Sequence, residues 1–299
     1  MVVLLIHAVE QGLAYGISAL GVFLTYRVLN FPDLTVDGSF VTGAAIASLL
    51  LTRTGIDPFT VMLAAFVAGC IAGMITGFLN TRLGITNLLA GVLTMIMLYS
   101  INLRIMGRPN LSLLRVPTVS RIVSAAWSPL CIVAVLVFIA LLTFVVKFAL
   151  DAFLRTEIGF ALRATGDSER MIIAQGVNVD TMKMLGLALS NGLVALSGAL
   201  VAQYSGFADV GMGIGTIVTG LAAVIIGGTL IRSHRVGWMT AAVLVGSIIY
   251  RVSVSLALRY GYAIGFQASD LKLITSLLVI IALVVPYVRE RRLRRVSSC

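Results

Sequence analysis

Polar side chains that could contact a polar ligand are few, and most lie in or beside long apolar stretches. Residues 30–39 hold two carboxylates, Asp33 and Asp37, between two such stretches. An unpaired carboxylate at membrane depth costs several kcal/mol, so each should face water or a partner. Broken helices that border a water-filled path offer such a place. We therefore predict a substrate path that includes Asn30, Asp33, Asp37, Ser39, Asn87, Asn191 and Gln203.

The same groups also have a purely structural interpretation, which the sequence leaves open. Asp37 or Ser39 could cap the helix that follows an ordinary turn. The amides of Asn87, Asn191 and Gln203 could hydrogen bond between packed helices, which is the usual role of such groups in lipid. Only their positions in the folded chain can separate the two interpretations.

Several kinds of chemistry are missing from the sequence. None of the three lysines, Lys147, Lys183 and Lys272, follows a glycine, so the chain has no phosphate-binding P-loop. Two histidines, His7 and His234, are too few for a histidine metal cluster or a catalytic triad. We expect no catalytic residue, no metal ligand and no cofactor in this chain.

Composition places the chain in a membrane. Hydrophobic residues make up 59% of its 299 residues and charged residues only 11%, with a mean hydropathy of +1.06. Soluble domains average about 25% charged residues. The net charge of +10 comes from basic residues dispersed between apolar runs and bunched in the tail, residues 289–299. This pattern favours contact with anionic lipid over a nucleic-acid partner.

The apolar stretches predict an all-α integral membrane protein, a polytopic bundle of about nine transmembrane helices, within a range of eight to ten. Residues 1–288 form the membrane domain, and residues 289–299 form a basic cytoplasmic tail. The second and seventh stretches look short and are candidates for broken or re-entrant half-helices. The predicted spans are residues 3–26, 38–52, 58–80, 87–106, 129–149, 183–204, 213–231, 237–257 and 270–288.

The distribution of lysine and arginine predicts the orientation. Basic residues are retained on the cytoplasmic side of a membrane, so the tail lies inside. Counting back through nine crossings places the N-terminus outside and the polar residues 151–182 inside. A multi-pass protein of the plasma membrane, the inner membrane of a bacterium, is the expected location.

The 151–182 segment is the longest polar insertion and predicts a short helix. Asp167 or Ser168 can cap this helix, which runs to Gln175, and Gly176 can end it. Its expected exposed apolar tip is formed by Met171, Ile172 and Ile173. Such a tip suits insertion into the groove of another protein, although a helix resting on lipid would show the same pattern.

This segment also carries a family resemblance. Residues 163–178, read with the runs at 189–192, 197–200 and 220–228, resemble the permeases of the branched-chain amino acid and ribose importer family, which are ATP-binding cassette transporters. The resemblance implies a coupling helix that docks on a separate cytoplasmic ATPase, which would hold the ATP and magnesium. The positions implied to couple to the ATPase are Asp167, Glu169, Arg170, Ile172, Ile173, Ala174, Gly176 and Val177.

A second stretch narrows the resemblance. Residues 31–40 are similar to the subgroup of importers associated with tryptophan and other aromatic amino acids. The implied assembly has two copies of this chain as a homodimeric pore, with a binding protein delivering solute from outside. Two alternatives remain at this point: an ion-coupled secondary transporter of a small polar solute, and a membrane-embedded enzyme or scaffold.

Overall fold

The computed structural model is a helical bundle, and it describes residues 2–114, 116–126, 131–231, 233, 235–264, 273, 275–277, 279 and 280. A π-helix, Leu24–Val28, extends the first helix, and one antiparallel ribbon joins two three-residue strands. The helices are α1 Val2–Phe23, α2 Thr35–Arg53, α3 Pro58–Thr81, α4 Asn87–Met106, α5 Val119–Ala126, α6 Cys131–Leu154, α7 Glu157–Asp167, α8 Glu169–Ala174, α9 Val179–Ser205, α10 Thr216–Leu230 and α11 Val236–Ile264; the strands are β1 Asn110–Ser112 and β2 Phe207–Asp209.

Seven helices in the described part of the chain are long and apolar enough to cross a membrane. They correspond to the predicted spans one to six and eight, which confirms the polytopic helical class. The predicted span at 270–288 falls largely outside the described residues, as does the basic tail at 289–299. The count of nine therefore stays a prediction.

The two stretches that were predicted to be short, the second and the seventh, differ in length in the structure. The second is a full helix of 19 residues, because α2 begins at Thr35 and not at Gly38. Asp37 belongs to the polar residues 30–39 that were predicted to break the helix, but it lies inside the first turn of α2. The seventh is α10, which has only 15 residues and spans about 22 Å at 1.5 Å per residue, less than the roughly 30 Å of the hydrocarbon core.

The centre of the bundle is α9, which packs against α1, α2 and α3. At Gly43, Gly69, Gly73 and Gly198, a β-carbon would collide with the backbone of the facing helix. Small residues allow helices in lipid to approach this closely and gain van der Waals contact. The absence of a side chain at Gly69, Gly73 and Gly198 therefore permits this close packing.

Candidate functional site: a polar break and a capped helical segment

The chain breaks between α1 and α2 for local reasons. Pro32 cannot continue a helix, and the residue before a proline avoids the helical region. The π-helix ends with hydrogen bonds from Leu29 N to Leu24 O at 3.0 Å and from Phe31 N to Thr25 O at 2.9 Å. Asn30 then takes a positive φ of 52°, a conformation that asparagine tolerates better than most residues. We call residues 29–34 the polar break.

Asp33 is the buried centre of the polar break. It is 2% exposed, and its Oδ1 accepts a hydrogen bond from Thr35 N at 2.8 Å. Its Oδ2 accepts from Asn191 Nδ2 at 2.7 Å, while Asn191 Oδ1 accepts from Ser39 Oγ at 2.7 Å. Burial raises the pKa of Asp33, and the hydrogen bonds from Thr35 and Asn191 oppose that rise. Three predicted path residues thus meet in one network that joins the break, α2 and α9.

Asp37 lies on the other side of α2 and binds the start of α10. Its Oδ2 accepts from Gly215 N at 3.0 Å, and its Oδ1 accepts from Ile217 N at 2.8 Å. These amides lie at the N-terminal end of α10, where the partial positive charge of the helix favours an anion. The prediction that Asp37 or Ser39 caps its own helix is wrong, because Asp33 accepts from Thr35 N at the start of α2 and Asp37 caps a helix 178 residues away.

The remaining predicted path residues do not join this network. Asn87 Oδ1 accepts from Asn80 Nδ2 at 2.7 Å, which links the ends of α3 and α4. Gln203 lies near the C-terminal end of α9, where its Oε1 accepts a hydrogen bond from Val119 N at 3.2 Å. Asn30 lines a polar cavity of about 580 Å³ beside Arg27 and Arg163. The seven positions therefore occupy several separate places in the bundle.

The 151–182 segment is built from capped helices. Thr156 caps α7 by accepting from Gly159 N, and Ser168 caps α8 by accepting from Met171 N at 3.4 Å. Asn178 caps α9 through Oδ1, which accepts from Asp180 N and Thr181 N. Gly176 ends the α8 turn with a φ of 80°. The short helix is present as predicted, with Ser168 as its cap and Asp167 as the last residue of α7.

The predicted apolar tip is correct for two residues and wrong for one. Met171 is 61% exposed and Ile173 is 60% exposed, but Ile172 is only 3% exposed. Residues that are adjacent in a helix point in different directions, so Ile172 faces inward while its neighbours face out. An ion pair between Glu169 and Lys183, 2.7 Å long, ties α8 to α9. Met171 and Ile173 are therefore the large apolar side chains that α8 exposes.

The 151–182 segment touches the polar break directly. Gly166, near the end of α7, lies so close to Val28 that a β-carbon there would collide with the Val28 carbonyl oxygen. Leu29 packs against Gly186 of α9, and Leu162 of α7 is fully buried. A displacement of α7 and α8 would therefore press on the chain just before Asp33.

Two buried ionic groups were not anticipated from the sequence. Glu10 accepts from Tyr204 Oη at 2.7 Å and lies 2.8 Å from His7 Nδ1. Lys147 pairs with Asp151 at 2.7 Å. The spacing of four residues between Lys147 and Asp151 is a readable signal for a helical ion pair. The hydrogen bond between Tyr204 and Glu10 joins α9 to α1, and no local sequence pattern predicts it because the two residues are 194 positions apart. Across the described residues, no three His, Cys, Asp or Glu side chains gather to hold a metal ion.

The bundle, with seven membrane-length apolar helices among the described residues, is that of a multi-pass helical membrane protein. A family model described as branched-chain amino acid transport system / permease component matches residues 4–284. The chain belongs to this family. It is a permease of an ATP-binding cassette transport system and a multi-pass protein of the inner membrane.

Relatives in other organisms agree with this assignment. The chain is 44% identical to a tyrosine transport system permease protein of Clostridioides difficile, over 92% of this chain and 89% of that protein. It is 27% identical to a probable branched-chain amino acid transport permease protein LivH of Methanocaldococcus jannaschii, over 94% of this chain and 90% of that one.

A solved structure shares the fold. The structure of PsaBC from Streptococcus pneumoniae in complex with Fab matches with a TM-score of 0.51 at 14% identity, and the match covers 92% of this chain and 89% of that chain. At this identity the likeness concerns the fold alone.

Proposed function

We propose that two copies of this chain form the pore of an importer for an aromatic amino acid. Each copy docks one cytoplasmic ATPase, and a separate binding protein delivers the amino acid from outside. The relative named as a tyrosine transport permease supports the class of solute. Closed two-fold assemblies are the commonest oligomers, and two cooperating ATPase subunits require two equivalent docking surfaces.

The exposed apolar pair on α8 is the observation that carries the proposal. Met171 and Ile173 are each about 60% exposed, although Ser168, Gly176 and the Glu169–Lys183 ion pair hold their helix in place. An ordered helix that presents apolar side chains away from its own protein is suited to a groove on a partner. Ile172 anchors the helix from beneath. Asp167, Arg170, Ala174 and Val177 would then frame the contact.

The contact between Gly166 and Val28 supplies a route from the ATPase to the pore. Closure of the ATPase would move α8 and α7, and Gly166 would pass this movement to the polar break. Asp33 connects the break to α9, and Asp37 connects α2 to the start of α10. The permease contributes two pore states with different affinity for the solute, and ATP binding on the partner shifts the balance between them.

The docking step is tested with the double variant Met171→Glu, Ile173→Glu. We expect ATPase binding to fall at least about tenfold, because two apolar anchors of a buried contact are replaced by charges. The matched control is Ile158→Glu, which places a charge at an exposed apolar position at the start of α7. Co-purification of the ATPase is the measurement. Unchanged binding by the double variant would contradict the docking assignment.

The transport step is tested with the reconstituted complex in proteoliposomes. Uptake of labelled tyrosine should require ATP and the binding protein and should survive an ionophore. Uptake that continues without ATP and stops with the ionophore would identify the ion-coupled alternative instead. Activity on a lipid by the purified chain alone would identify the enzyme alternative.

A further inference from the structure

A small cavity lies between α2, α4 and the chain that leads into α10. Its volume is about 200 Å³. Its walls are mainly apolar and include Val41, Met95, Ile96 and Ile214. Asp37 reaches its edge, but both carboxylate oxygens of Asp37 already accept backbone hydrogen bonds from the start of α10. We call this space the α4 cavity.

Asn102 is the polar side chain of the α4 cavity with an unused group. It is fully buried, and its Nδ2 donates to Gly38 O at 3.2 Å. Its Oδ1 is buried and has no hydrogen-bond partner among the described residues. Leaving a buried acceptor unpaired costs about 1–3 kcal/mol, so such a group in a folded protein calls for an explanation. Asn102 lines the cavity, but its Oδ1 is closed to water, so a ligand that brings a hydrogen-bond donor into the cavity would satisfy it once the side chain turns toward the space.

The cavity opens on a helix face that differs from the lipid-facing type. The exposed positions of α6 carry Val137, Leu141 and Val145, which are purely apolar. The exposed face of α4 carries Tyr99, Ser100 and Arg104 in addition to apolar residues. A face with hydroxyl and guanidinium groups suits a boundary with water more than one with acyl chains. These polar side chains lie at the C-terminal end of α4, so the α4 cavity is within reach of the water at that end of the helix.

From these observations we propose that the α4 cavity is a subsite for the side chain of a phenolic amino acid, with Asn102 Oδ1 accepting the phenol hydroxyl. The proposal rests on the proposed import function and names the group that is recognised. A phenol ring is apolar along its length and carries one donor at its end, which matches apolar walls with one free acceptor. A site built to bind a substrate hydroxyl discriminates strongly against the analogue that lacks it.

The test compares uptake of labelled tyrosine and phenylalanine by the complete reconstituted transporter. In Asn102→Leu, we expect the tyrosine-to-phenylalanine uptake ratio to fall about tenfold, because the acceptor for the hydroxyl is gone. The same binding protein is used throughout, so its own preference cancels between variant and wild type. Thr94→Val is the matched control, since the Thr94 hydroxyl bonds within α4 to Ala90 O. Its ratio should equal that of the wild type.

A second variant keeps the test decisive if Asn102→Leu fails to fold. Ile96 is 58% exposed at the cavity wall, so Ile96→Trp can be accommodated while narrowing the space. It should slow uptake of both amino acids. An unchanged ratio in Asn102→Leu, or undiminished uptake in Ile96→Trp, overturns the subsite and leaves the cavity to water, lipid or the second copy. A wild-type transporter that carries none of tyrosine, phenylalanine and tryptophan overturns the proposed function itself.

Discussion

The polar break and the 151–182 segment differ in whether their key side chains have partners within the chain. In the break and the first turn of α2 that follows it, Asp33 and Asp37 lie in the bundle, and each of their four carboxylate oxygens accepts a hydrogen bond. In the segment, Met171 and Ile173 are apolar and remain exposed. The hydrogen bonds of the two carboxylates are satisfied within one chain, whereas the apolar side chains of α8 are not covered by it. Polar groups that are satisfied within the chain stabilise the fold, and exposed apolar groups on an ordered helix indicate a partner.

The largest expected effect comes from the centre of the break. Asp33→Ala leaves Thr35 N without its acceptor and removes one of the two acceptors of Asn191 Nδ2, which also donates to Leu187 O at 3.0 Å. We expect a loss of about 3 kcal/mol in the free energy of unfolding, because two buried N–H groups lose their hydrogen bonds to a carboxylate. Thermal or denaturant unfolding of the purified protein in detergent measures it. Asp33→Asn, which keeps an acceptor oxygen, should lose less. Equal stability of Asp33→Ala and the wild type would show that the network is dispensable.

The second effect concerns the start of α10. Asp37→Ala removes the acceptor for Gly215 N and Ile217 N. We expect a cost of about 1–2 kcal/mol, the range for loss of a helix cap with a favourable charge. The same unfolding assay applies. Asp37→Asn retains one acceptor oxygen, so its free energy of unfolding should lie between those of Asp37→Ala and the wild type. A wild-type value for Asp37→Ala would mean that α10 is held by packing alone.

The third variant tests the link between the two regions. Gly166→Ala forces α7 away from Val28, whereas Gly228→Ala adds the same methyl group where space is open. We expect Gly166→Ala to bind the ATPase normally and to lower transport per ATP hydrolysed about tenfold, since a misplacement of about 1 Å can have large effects. Gly228→Ala should be unaffected. Normal coupling in Gly166→Ala would break the proposed route.

The smallest effect concerns the cap of α8. Ser168→Ala removes the acceptor for Met171 N and should weaken the helix by about 1 kcal/mol. ATPase binding should therefore weaken a few-fold, because the helix must be ordered when it docks. Ser168→Asp supplies an equivalent acceptor and should restore binding. Identical affinities for all three proteins would show that the partner orders α8 without the cap.

Much of the fold could be read from local signals. Apolar runs located the spans, and Ser168 and Gly176 have their predicted roles at the two ends of α8. The contacts that fix the two carboxylates join residues far apart in sequence, namely Asp33 with Asn191 and Asp37 with Gly215. No local pattern encodes such pairs. The burial of Ile172 was missed for a similar reason, because the inward face of a six-residue helix depends on what lies beneath it.

The close approach of α2 and α3 to α9 has a consequence for movement. Helices that meet backbone to backbone have no flexible side chains between them to absorb a displacement, and packed interiors transmit strain instead of yielding to it. These three helices should therefore shift together as one block. The opening and closing of a passage would then fall to the elements around that block, with the short α10 and the irregular chain before α2 serving as its hinges.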